Sequence, residues 1–126
     1  MPKILVLVVE DEMDTAKVLV KRLTGQGFNV LVAMDAYQAT MLTYKENPDL
    51  IILDLMLPAG GGLSVLKNIR SNPQKAYIPV VVLTGMKNDE VKKEVLNQGV
   101  EAYLEKPYDA DNLITTVQNI LNKKES

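Results

Sequence analysis

The sequence contains no cysteine, which excludes disulfides, thiolate zinc sites and a cysteine nucleophile. It contains no histidine either. The commonest general base and transition-metal ligand are therefore missing, and any metal site must be lined by oxygen and suit a hard cation such as Mg²⁺. Positive charge is not in excess: 14 Lys and Arg stand against 16 Asp and Glu, a formal charge of -2. No overall basic field is thus available to hold nucleic acid or an anionic membrane. Long hydrophobic runs are absent too. Residues 4–9 give only six apolar residues before Glu10, too few for a signal-peptide core or a membrane span. A soluble cytoplasmic protein is the expectation.

What is present is an ordinary globular composition, 47% hydrophobic and 24% charged over 126 residues. That length fits one domain over 1–126 with a sizeable core, and no repeat or composition shift marks a second. Short apolar runs predict strands over 4–9, 30–33, 50–53, 80–83 and 102–104. Between them lie helical patterns. Ala16, Leu19, Val20 and Leu23 form one, closed by Gly25 and Gly27; a weaker one, capped by Asp35, runs through Glu46 with Ala36, Ala39, Leu42 and Thr43 inward. Leu63, Leu66 and Ile69 mark a third, stopped by Ser71-Asn72-Pro73. A polar helix over 88–97 buries Val91, Val95 and Leu96, and Gly99 ends it. The last carries the stripe Leu113, Ile114, Val117, Ile120 and Leu121, with Asp109 at its N-cap and Tyr108 stapled against Leu113. Residues 123–126 read as a solvated tail.

Strands that alternate with helices predict an α/β domain: a five-stranded parallel sheet with five helices over both faces. Right-handed crossovers leave few strand orders, of which 2-1-3-4-5 is the common one at this length. All strand tips then lie along one edge, and polar residues follow four of them: Glu10-Asp11, Asp54, Thr84 and Lys106. Ligands of such sheets bind outside that edge where strand order reverses, here between the first and third strands. Three carboxylates within a few ångströms repel one another, and one lysine cannot neutralise them; a divalent oxygen-loving cation can. A metal beside a free carboxylate, a lysine and a hydroxyl is a layout for phosphoryl transfer to a carboxylate oxygen.

These residues resemble the receiver domain of two-component response regulators. The likeness runs end to end, through 4–12, 48–58, 82–85 and Ala102-Tyr103-Leu104-Glu105-Lys106-Pro107. It implies a flavodoxin-like, doubly wound sheet and a phosphorelay function rather than a separate enzyme activity. Asp54 would accept a phosphoryl group from a sensor histidine kinase or phosphotransfer protein. Asp11, Asp54 and the backbone carbonyl of Met56 would hold Mg²⁺ (or Mn²⁺), with Glu10 acting through water. Lys106 would pair with Asp54 and then with the phosphoryl group, before a cis peptide to Pro107. Thr84 and Tyr103 would form the switch pair. The fourth helix, fifth strand and last helix, with Lys87, Lys92, Lys93, Glu101 and Lys106, would face an output partner or a phosphorylation-dependent second copy. The chain would be either a stand-alone receiver or a piece of a longer regulator.

The chain also departs from the pattern. Glu10 stands where Asp is more usual, and Gly85 replaces a common Ala, opening the entry. Ala59-Gly60-Gly61-Gly62 lacks an acidic residue and reads as a mobile loop. Met56 and Met86 lie two residues beyond Asp54 and Thr84, and thioethers orient water poorly, so slow self-dephosphorylation is expected. Each residue alone has a plainer role. Glu10, Asp11, Glu12 and Asp14 could favour a helix N-terminus, Asp54 could cap a turn, Thr84 a helix, and Lys106 could be a solvated cation. A nucleotide- or flavin-binding module would need a glycine- or hydroxyl-rich turn after the first strand, where Glu10-Asp11-Glu12 stands instead. An aspartyl-phosphate phosphatase would need an acid at Met56. A phosphorylation-independent interaction module would be expected to lack a member of the acceptor set.

Overall fold

The computed structural model describes residues 3–57 and 61–125. The elements run β1 (Leu5–Val9), α1 (Met13–Gly25), β2 (Asn29–Ala33), α2 (Ala36–Glu46), β3 (Leu50–Leu53), α3 (Gly61–Ser71), β4 (Val80–Thr84), α4 (Asp89–Gln98), β5 (Ala102–Glu105) and α5 (Ala110–Glu125). All neighbouring strands pair in parallel, in the order β2-β1-β3-β4-β5. The predicted fold and strand order are those observed.

Alternation along each strand divides the core in two. Leu7, Val9, Ile51, Leu53, Val80 and Val82 face one side, where Ala39 of α2, Leu66 of α3 and Val95 of α4 cover them. Val6, Val8, Leu50, Ile52, Val81 and Leu83 face the other, against Leu19 and Leu23 of α1 and Leu113 and Val117 of α5. Since both faces are covered, the central strands read as unbroken apolar runs.

The helix ends follow the capping logic. The Asp35 carboxylate accepts from Gln38 N at 2.8 Å, Asn88 Oδ1 from Glu90 N and Val91 N, and Asp109 Oδ1 from Asp111 N at 2.8 Å. Tyr108 packs against the cluster that holds Leu113. Three expectations need correction. α5 continues to Glu125, so 123–125 are helix rather than tail. Leu96 is 50% exposed, because one residue beyond buried Val95 the helix has rotated by about 100° and faces outward. Gly61 and Gly62 are not loop but the first residues of α3; Pro58, Ala59 and Gly60 lie outside the described residues.

One side chain ties together three segments that the apolar pattern leaves unconnected. Arg70, near the end of α3, donates to the carbonyls of Gly99, Ala76 and Ile78 at 2.9, 3.0 and 2.7 Å and to Glu101 at 3.2 Å. Glu101 in turn accepts from Val80 N at 2.7 Å. Replacing Arg70 by Met keeps the stem but strips partly buried carbonyls of their donor, and should cost about 2 kcal/mol of unfolding free energy. Urea denaturation measures this; a loss within a few tenths would mean that water replaces the guanidinium freely.

Candidate functional site

Strand register places the polar residues side by side. Val9 pairs with Leu53, and Asp54 N donates to Val9 O at 3.0 Å, so Glu10 and Asp54 emerge from adjacent tips. Thr84 closes β4, and Lys106 N donates to Thr84 O at 2.9 Å, which carries the lysine in from β5. The Lys106–Pro107 peptide is cis.

Asp54 is 5% exposed and well supplied with donors. Its Oδ1 accepts from the Thr84 hydroxyl at 3.0 Å and from Met56 N at 2.9 Å, and its Oδ2 from Lys106 Nζ at 2.9 Å. Thr84, fully buried, also accepts from Met86 N at 3.1 Å. Glu10 is buried as deeply: Oε1 accepts from Lys106 Nζ at 2.6 Å and Oε2 from Glu12 N at 3.2 Å. The extra methylene of Glu10 therefore reaches the lysine directly. Burial pushes the Glu10 carboxyl above its ordinary value, against the opposing pull of Lys106. Burial alone would lower Lys106, but its bonds to Glu10 and Asp54 outweigh that and raise it, so the ammonium stays charged.

Carboxylate oxygens of Glu10, Asp11 and Asp54 lie within 4.8 Å of one another. Asp11 is exposed, whereas the other two are buried, so the cluster opens on one side. A recess of about 250 Å³ lined by Asp11, Glu12, Asp54, Met56, Gly85 and Lys106 is that opening. Three carboxylates against one ammonium leave an excess of negative charge on an all-oxygen donor set. That chemistry fits a hard divalent cation.

The remaining predicted residues separate. Tyr103 sits beyond Thr84, its ring partly buried against the core and under Lys92 Nζ, which stands 5.0 Å from the ring centre. Lys92 also pairs with Glu105 at 3.5 Å. Met56, 55% exposed, lines the recess, but Met86 does not: it packs on the core and lines a neighbouring hollow with Lys92 and Tyr103. Two residues assigned to the outward face are engaged elsewhere. Lys106 points into the carboxylates, and Glu101 is held by Arg70 and Val80 N, whereas Lys87 and Lys93 are exposed.

One residue of the site was not singled out by the sequence. Gly62 donates its N–H to Leu55 O at 3.0 Å, and a Cβ placed on it would lie 2.4 Å from Asp54 O and 2.6 Å from Leu55 Cα. Its missing side chain is what lets α3 begin against the backbone that carries Asp54. The glycine run was the only signal, and a run does not say which glycine the packing requires.

Comparison with known proteins gives a consistent picture. The family model of the response regulator receiver domain matches residues 6–118. The proteins named "Probable transcriptional regulator ycf29" from Pyropia yezoensis and Porphyra purpurea are each 35% identical over 117 residues, 91% of this chain. The chain spans about half the length of these curated relatives, 52% and 55%. Among solved structures, the Francisella response regulator 1452 receiver domain superposes with a TM-score of 0.86 at 35% identity, covering 98% of this chain and 100% of that one. A two-component response regulator from Clostridium difficile gives 0.90 at 27% identity, with 98% and 100% covered.

Proposed function

The chain belongs to the response regulator receiver domain family of two-component systems, and from that membership and the strand-tip geometry we propose that Asp54 is its phosphoacceptor. The carrying observation is a single carboxylate bonded by Lys106 at 2.9 Å and Thr84 at 3.0 Å while sharing a 4.8 Å oxygen cluster with Asp11. In the reaction, an Asp54 oxygen attacks the phosphorus of a phosphohistidine on a sensor kinase or phosphotransfer protein. The P–N bond breaks, and the imidazole nitrogen leaves with the electron pair. Lys106 neutralises charge on the transferring group, as it does on Asp54 now. Asp11, Asp54 and the Met56 carbonyl would hold Mg²⁺ or Mn²⁺, with Glu10 acting through water; a bound cation supplies charge neutralisation for the phosphoryl oxygens. Residues 1–126 act in this reading as one cytoplasmic receiver rather than a separate enzyme.

The new group adds about 1.5–2 negative charges and oxygen acceptors beside Thr84. The hydroxyl that now donates to Asp54 turns to a phosphoryl oxygen, and Tyr103 turns inward. Lys92, which lies over the ring and on Glu105, must then be released, altering the face of α4, β5 and α5 offered to an output partner or a second copy. Met56 at the recess cannot orient an attacking water, so the phosphoryl group persists for longer than seconds. Beryllofluoride with Mg²⁺, a stable mimic of the acyl phosphate, tests the reading by ¹⁵N NMR. Large shifts at Thr84, Tyr103 and Lys106 are expected, with none when Mg²⁺ is withheld. A spectrum unchanged at saturating beryllofluoride and Mg²⁺ would sink it.

A further inference from the structure

β2 is one of the two edge strands of the sheet, β5 being the other. Asn29 N donates to Ile4 O and Ala33 O accepts from Glu10 N, both at 2.9 Å. In a parallel ladder Asn29, Leu31 and Ala33 therefore direct their peptide groups at β1, and Val30 and Val32 direct theirs outward. Among the described residues nothing pairs with the outward groups, while just beyond them Met34 N is taken by the Gln38 side chain at 2.9 Å. Edge strands are ordinarily blunted by lysine, proline, inward charge or a bulge. Asn29–Ala33 carries no charge and no proline, and its register with β1 is unbroken.

Beside this edge runs an apolar groove of about 420 Å³, lined by Met13, Ala16 and Val20 of α1, by Val32 and by Met34. Met13 is 57% exposed. Lys17, Lys21 and Gln38 complete the lining, and no acid belongs to it. The two lysines are four residues apart on one helix face, a like-charge spacing that is unfavourable, and neither has an ion-pair partner among the described residues.

We propose that the β2 edge and its groove form a docking site for an extended acidic segment of another protein, added antiparallel or parallel as a sixth strand. Main-chain bonds to Val30 and Val32 would supply affinity, alternate aliphatic side chains would fill the groove, and flanking carboxylates would meet Lys17 and Lys21. Charge decides against a second copy as the occupant. Antiparallel pairing of two β2 edges about a two-fold axis sets both α1 helices on one face and gathers four ammonium groups at the seam.

The test is selection of random twelve-residue peptides displayed on phage against the whole chain. Selected peptides should alternate aliphatic residues with Glu or Asp. The amides of Val30 and Val32 should exchange at least about tenfold more slowly when a selected peptide is bound. The exposed double variant Lys17→Glu/Lys21→Glu should bind it about tenfold more weakly and instead select lysine-bearing peptides. Peptides without acidic bias, or unchanged exchange at Val30 and Val32, would overturn the proposal. So would sedimentation showing a dimer joined through this edge.

Discussion

Asp54→Asn should reduce phosphoryl incorporation from a small-molecule donor to below about one thousandth of the unmodified chain's, with Mg²⁺ present throughout. The amide keeps the shape of the side chain, so it can still accept from Thr84 and Met56 N, which now approach Oδ1 at 3.0 and 2.9 Å. What it lacks is a nucleophilic oxygen. Stability should not fall with activity. Removing one of three clustered carboxylates relieves repulsion, and Lys106 retains Glu10 at 2.6 Å, so the melting temperature should hold or rise. Intact-mass spectrometry and a thermal melt on the same sample separate loss of the acceptor from loss of the fold. Mass still added to Asp54→Asn at the original rate would place the acceptor elsewhere.

Gly62→Ala should meet the closest contacts of any Gly→Ala change among the described glycines, and should destabilise the fold strongly. The added carbon would sit 2.4 Å from Asp54 O and 2.6 Å from Leu55 Cα, and both are backbone in the middle of the domain, unable to swing aside as a flexible side chain could. Either α3 lifts off or the turn after β3 moves. Overpacking of this kind costs about 3 kcal/mol, which for a domain of this size lowers the melting temperature by about 12 °C. Because the displaced backbone carries Asp54, phosphoryl incorporation should slow in the fraction that remains folded. Gly85→Ala is the control. A Cβ there meets only Lys106 Cβ, at 3.9 Å, an ordinary contact, and stability should change by less than about 0.5 kcal/mol. A Gly62→Ala protein as stable as the parent would refute the close approach.

The sequence by itself determined the parts governed by local periodicity and by end effects. Short apolar runs bounded by turn residues read as covered strands, and Asp35 and Asp109 read as helix caps because their short carboxylates reach the next turn's N–H groups, as they do. Once the sheet was parallel, Glu10, Asp11, Asp54, Thr84 and Lys106 had to share one edge, since strand tips of one direction line up whatever the side chains do. Tertiary structure alone decided how those groups divide their bonds. Glu10 spends both oxygens on Lys106 and its own turn, Met86 turns to the core while Met56 stays at the recess, and Arg70 gathers carbonyls from segments distant in the chain. Whether a glycine is idle or indispensable depends on the backbone brought against it in space, and that is why Gly62 became visible only when α3 was seen resting on the Asp54–Leu55 peptide.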